Sequence, residues 1–272
     1  MYLERKARFL RRRGLAMNGR TMHPGGLLSS ADIFAVLYYH VLHLDPRNPD
    51  WADRDYFINA RGFAYEPISV ALAELGFFPE EDLDHAEQWG SHLHGLSATT
   101  TPGVELSCGS LGHGLPLGVG TALGLRALAR PGRVFVVTGD GELQEGANWE
   151  AAMAASHYRL DRLTVVVDRN RYQSNDRGTE TVMALEPLDD KFRAFGFATR
   201  RIDGHDVGLL VEAFAALPFE PGRPSAIVAD TIKGKGVSFL EQGHVHNTHF
   251  GRDRPVEMLQ QALQELEEPA DA

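Results

Sequence analysis

Two short runs of β-branched residues, each ending in polar side chains able to bind a cation, constrain this chain most. The first, Val134-Phe135-Val136-Val137, runs into Thr138-Gly139-Asp140-Gly141, and the second, Thr164-Val165-Val166-Val167, runs into Asp168-Arg169-Asn170. A helical stretch, Asn148 to Tyr158, lies between them. A strand, a crossover helix and a returning strand fold with right-handed geometry and parallel strands. Asp140 and Asn170 therefore belong on the same carboxyl edge of one sheet, where open α/β sheets bind ligands.

The neighbouring sequence extends this pattern. Strands are expected at Arg133–Thr138, Leu163–Asp168, Phe197–Ile202 and Ser225–Asp230, and their continuous apolar character predicts burial on both faces. Helices are expected at Leu188–Phe195 and at Val207–Leu217, the latter capped by Asp206 and stopped by Pro218. The upstream half reads as mainly helical. Ser29-Ser30-Ala31-Asp32 offers a capping-box-like start to an apolar segment reaching Leu42, and Asp45-Pro46-Arg47-Asn48-Pro49 stops it. A terminal helix follows Pro255, and Pro269 to Ala272 are expected to fray. The fold class is α/β, a parallel sheet flanked by helices, with residues 1–272 as one domain.

Composition narrows the function. No apolar run approaches the roughly 18 residues of a membrane span, and the first residues are charged, so the expected location is cytoplasmic. The single cysteine, Cys108, excludes an internal disulfide and a multi-cysteine metal site and reads as a space filler. A net charge of −10 argues against nucleic acid and anionic membranes as partners. The basic run Arg5 to Arg13 reads as a solvated helix face or a subunit contact.

Asp140, Asn170 and a nearby carbonyl supply the hard oxygen donors that Mg²⁺ prefers, with phosphate oxygens completing the shell. Gly139 and Gly141 are expected to let the backbone turn sharply and approach a diphosphate, whose oxygens the following amides would meet. A bare Gly-Asp-Gly is commonly a turn. Its spacing to Asn170 gives it meaning.

That combination is the thiamine diphosphate pattern, and from the basic amino-terminal helix to about Phe250 the chain resembles transketolases. Met22-His23-Pro24-Gly25-Gly26, Asn48-Pro49-Asp50-Trp51-Ala52-Asp53-Arg54-Asp55, Thr101-Pro102-Gly103-Val104-Glu105, Gly109-Ser110-Leu111-Gly112-His113-Gly114 and Ile202-Asp203-Gly204-His205-Asp206 follow one another in that family's order. The resemblance implies a thiamine diphosphate-binding fold of the diphosphate-binding type. It implies that Asp140, Asn170 and the Tyr172 carbonyl hold Mg²⁺, and that Gly139, Gly141 and the Gly109-Ser110-Leu111 backbone contact the cofactor. Glu145 would belong to a proton network at a subunit interface, or would be an early-helix acid favoured by the helix dipole. His23 matches a histidine of the substrate channel, where imidazole exchanges protons near neutral pH. Another active-site histidine is expected among His244, His246 and His249, with His249 favoured because Phe250-Gly251 follows; a three-histidine metal site is the alternative. In Lys233-Gly234-Lys235-Gly236, Lys233 is a candidate phosphate contact, against a plain strand-exit turn.

Two departures predict an altered substrate. The family's Asn-Gly-His-Gly segment is Asn59-Ala60-Arg61-Gly62 here, and its Gly-His-Pro segment is Gly95-Leu96-Ser97, with His94 two positions away. Arg61 cannot carry a proton as a neutral group but suits a carboxylate or phosphate, and Arg61, His94 and His23 are the candidate substrate residues. The resemblance also implies that the glutamate acting on the cofactor's pyrimidine ring lies on a domain absent here. A partner subunit of the transketolase carboxy-terminal type would supply it, in a heterotetramer, for transfer of a two-carbon ketol unit from a ketose to an aldehyde. The alternatives are a 2-oxo acid-using thiamine diphosphate enzyme and a noncatalytic subunit that keeps the fold.

Overall fold

The computed structural model describes residues 2–17, 23–173, 177–241 and 255–267. Five strands, β1 (Tyr56–Asn59), β2 (Val134–Gly139), β3 (Leu163–Arg169), β4 (Ala198–Asp203) and β5 (Ser225–Asp230), form one parallel sheet in the order β1-β2-β3-β5-β4. The main helices are α1 (Tyr2–Ala16), α2 (Pro24–Val36), α3 (Glu66–Leu75), α4 (Gly114–Ala127), α5 (Gly146–His157), α6 (Leu188–Ala194), α7 (Val207–Ala215) and α8 (Val256–Glu265).

Side chains alternate across a strand, and the sheet sorts them into two cores. Phe57, Phe135, Val137, Val166 and Ile227 join residues of α1, α2, α3 and α7 on one face. Ile58, Val134, Val136, Val165, Val167 and Val228 join α4, α5 and α6 on the other. Register sets the edge where these strands stop, with Gly139 opposite Asp168 and Arg169 opposite Asp230.

The structure corrects several expectations. The upstream half contributes β1, a strand of four residues that pairs with β2 and is too short to stand out among its charged neighbours. β4 is an edge strand rather than one buried on both faces, and its Arg201 turns to Glu186 and Asp230. Helix α2 begins at Pro24, whose ring presets the first helical residue, and not at Ser29. Ser30 lies inside it and donates to the Gly26 carbonyl at 2.6 Å. Asp32, also inside, pairs with Arg11, which further donates to the Leu28 carbonyl. The basic run is thus not simply solvated: Arg11 is buried, Lys6 pairs with Glu74, and Arg13 meets Asp84 at 2.8 Å.

Other elements fall where expected. The Asp206 side chain accepts from the Leu209 amide and caps α7, and α8 follows Pro255. Among the described residues no helix is long and apolar enough to cross a membrane. His244, His246, His249 and the segment from Pro269 lie outside the described residues.

Candidate active site

At the carboxyl edge, β2 and β3 deliver their terminal polar residues to a cavity of about 220 Å³. It brings together His23, Arg61, Leu111, Gly139, Asp140, Gly141, Glu145, Asn170, Tyr172 and Lys233, ten of the residues singled out from the sequence. His94 is exposed on a loop and does not line it, which separates it from the other substrate candidates. Gly109 and Ser110 sit outside the lining, beside Leu111.

Asp140 is almost inaccessible, at 1% exposure. One carboxylate oxygen accepts from the Gly141 amide at 2.7 Å; the other accepts from the Arg171 amide and from Arg169 Nη1, both at 2.6 Å. Burial pushes its carboxyl up to about 6 against the opposing pull of Arg169, so a further cation beside it would meet a real electrostatic need. Arg169 does not satisfy that need alone, because it also bonds to Glu180 at 2.7 Å and Glu186 at 3.1 Å. The Asn170 amide is oriented from both ends. Its Nδ2 donates to Asp168 at 3.1 Å, and its Oδ1 accepts from the Tyr172 amide at 3.1 Å.

A carboxylate and an amide oxygen therefore share one cavity with Tyr172. Among the described residues no group of three or more His, Cys, Asp and Glu side chains is spaced to hold a metal ion. A donor set of this kind fits a hard cation that takes its remaining ligands from phosphate and water.

The sequence did not single out Asp168 as the organiser of this edge. Fully buried at the end of β3, it accepts from Ser29 at 2.7 Å, from Arg61 Nη1 at 2.6 Å, from Asn170, and from Thr231. Arg61 is 2% exposed and its Nε and Nη2 find no hydrogen-bond partner among the described residues. Its ion-pair partner in the protein is thus an acid, and the residue itself belongs to the lining of the cavity.

Gly139 and Gly141 also have a packing role. Neither has a positive φ. A Cβ on Gly139 would lie 2.9 Å from Arg61 Cδ, and one on Gly141 would lie 2.7 Å from Gln173 Cβ. Their missing side chains make room for Arg61 and Gln173. A Gly next to a charged residue far along the chain gives no sign of this in sequence.

Two more lining residues escaped the sequence reading. The Phe63 ring stacks on His23 with centroids 4.7 Å apart. Glu142 is buried, accepting from the Gly112 amide at 3.0 Å and from Thr138 at 2.8 Å, and burial raises its carboxyl despite these donors. Glu145, by contrast, is exposed at the start of α5 with no side-chain cap bond, at the rim of the cavity. Cys108 packs as filler, and burial pushes its thiol up to about 11.

Residues 13–266 match the family model described as transketolase, thiamine diphosphate binding domain. Over 271 residues the chain is 36% identical to an apulose-4-phosphate transketolase subunit of Actinobacillus succinogenes, covering 98% of this chain and 96% of that protein. It is 40% identical over 220 residues to 6-deoxy-6-sulfo-D-fructose transketolase subunit SqwG of a Clostridium species, with 80% of each covered. Transketolase from Leishmania mexicana superposes with a TM-score of 0.87 and 29% identity, over 97% of this chain and 41% of that one. With the parallel sheet and its edge cavity, these matches show that the chain belongs to the transketolase family and carries its thiamine diphosphate-binding domain.

Proposed function

We propose that this chain is the diphosphate- and Mg²⁺-binding subunit of a two-component transketolase, a transferase that moves a two-carbon ketol unit from a ketose to an aldehyde. The observation that carries this reading is the convergence of Asp140, Asn170, Lys233 and His23 on one cavity. Asp140, Asn170 and the Tyr172 carbonyl hold the metal. Gly109, Ser110, Leu111, Gly139, Gly141 and Lys233 hold the cofactor, whose thiazolium supplies an electron sink when bound. His23, held by its stack on Phe63, and His249 exchange protons with substrate oxygens. Arg61 adds a fixed positive charge in the wall, and Glu145 at the rim faces the subunit that completes the site.

That subunit is of the carboxy-terminal, pyrimidine-binding type and brings the catalytic glutamate. Support comes from relatives named as transketolase subunits, one of them matched over 96% of its own length. The outer side of α4, the residue that ends it and α5 add to it: Leu117, Leu128 and Met153 are 38%, 71% and 55% exposed, and a Cβ on Gly120 or Gly124 would meet nothing within 4 Å among the described residues. An apolar face of this kind suits burial in an assembly, which we take to be a heterotetramer in the cytoplasm.

The test is to purify the chain with whatever accompanies it and to quantify thiamine diphosphate and Mg²⁺. A pyrimidine-domain companion is expected, with both ligands present and both lost on Asp140→Ala. Retention of cofactor and metal by Asp140→Ala overturns the assignment.

A further inference from the structure

The Ile202–Asp206 segment is shared in order with transketolases, yet none of it lines the cavity. It lies at the end of β4 against β5, where a Cβ on Gly204 would fall 2.6 Å from Thr231 Cγ2. This close fit brings His205 between two elements of the site. Its Nδ1 is 2.7 Å from Asp32 Oδ2, and its Nε2 is 2.8 Å from the Ile232 amide nitrogen. A backbone amide donates, so Nε2 is the bare nitrogen, and the ring proton sits on Nδ1 facing the carboxylate. Asp32 is itself fixed by Arg11: burial opposes its ionisation, but Arg11 and His205 together hold its carboxyl below the usual range.

Ile232 immediately precedes Lys233, whose side chain lines the cavity. The turn that carries them leaves β5 through Thr231, bonded to the Arg169 carbonyl at 3.1 Å, and returns through Gly234, bonded to the Gly25 carbonyl at 3.2 Å. Gly234 and Gly236 both have positive φ, so the turn has backbone freedom that its anchors must restrain.

We propose that His205 is a positioning residue: by accepting from the Ile232 amide it fixes the backbone that aims Lys233 at the diphosphate end of the cofactor. The role rests on the diphosphate reading of the cavity. It assigns a purpose to a shared motif that lies outside the cavity, and it ties α1 and α2 to the site through Arg11 and Asp32.

The experiment is a double-mutant cycle on the purified complex, with calorimetric affinity for inorganic pyrophosphate in the presence of Mg²⁺. Lys233→Ala is expected to weaken binding by about tenfold and His205→Ala by about three- to tenfold. The double variant is expected within about twofold of Lys233→Ala alone, because both residues act through one contact. Full additivity, or a His205→Ala complex that binds like wild type while Lys233→Ala does not, overturns the positioning role. So does a Lys233→Ala complex with wild-type affinity. Failure of the wild type itself to bind Mg²⁺ and pyrophosphate overturns the diphosphate reading and this inference with it. If His205→Ala does not fold, His205→Phe keeps the ring volume without either nitrogen and replaces it in the same cycle.

Discussion

Asp140 and Asp168 lie at the carboxyl ends of neighbouring strands, and both are almost without solvent exposure, yet their surroundings use them in opposite ways. Asp168 takes side-chain donors from four places: Ser29 in α2, Arg61 after β1, Asn170 after β3 and Thr231 after β5. It is a knot that ties separate segments together. Asp140 takes two backbone amides from its own and the adjoining loop, plus one guanidinium that two other acids also claim. The difference teaches that residue type and strand position do not decide which acid is scaffold and which is a candidate ligand. The origin of the surrounding donors decides it.

The contrast breaks if the two acids respond alike. Asp168→Asn leaves the buried Arg61 guanidinium without its ion-pair partner and is expected to cost about 3–5 kcal/mol in urea unfolding. Asp140→Asn keeps an oxygen for the Arg171 amide and leaves Arg169 with Glu180 and Glu186, so the cofactor-free protein should lose only about 1 kcal/mol. Equal losses would refute the division into scaffold and ligand. A finer probe is Arg61→Lys, which retains one charged contact to Asp168 while removing the two nitrogens without partners among the described residues. Its stability should stay within about 1 kcal/mol of wild type by the same unfolding measurement, whereas Arg61→Leu should approach the Asp168→Asn loss.

Much of this edge was legible in the sequence because parallel topology is strongly determined. Two β-branched strands joined by one helix leave a single handedness, and that alone brings Asp140 and Asn170 together. What stayed hidden depends on contacts between distant segments. Nothing near Asp168 announces Ser29 or Thr231, and a Gly beside Asp140 reads as a turn until Arg61 is seen filling the space. Some of the shared motifs serve the fold. Arg54 and Glu105, from two different motifs, grip each other through hydrogen bonds of 2.8 and 2.7 Å, and neither lines the cavity. Ser29 to Asp32 looked like a helix start because small polar residues favour caps, but burial against α1 overrode that local preference.

The smallest expected effect sharpens the comparison most, since it tests the competition around Arg169. Glu186 accepts from Arg201 and Arg169, and Arg201 foremost, against the opposing effect of burial, holds its carboxyl down to about 2. A carboxyl with a depressed folded-state pKa contributes stability that is present above its ordinary value of 4.5 and is lost as pH falls through about 2. Glu186→Gln should therefore flatten the acid side of the stability curve over that window. At 31% exposure, solvent screening limits the loss at neutral pH to about 1 kcal/mol. The same change removes one of the three acids that share Arg169, so the guanidinium turns more fully to Asp140. Mg²⁺ titrated into the cofactor-free complex should then bind about two- to threefold more weakly, consistent with a few tenths of a kcal/mol of added competition. An unchanged Mg²⁺ affinity, together with the flattened acid limb, would mean that Arg169 holds Asp140 independently of its other partners.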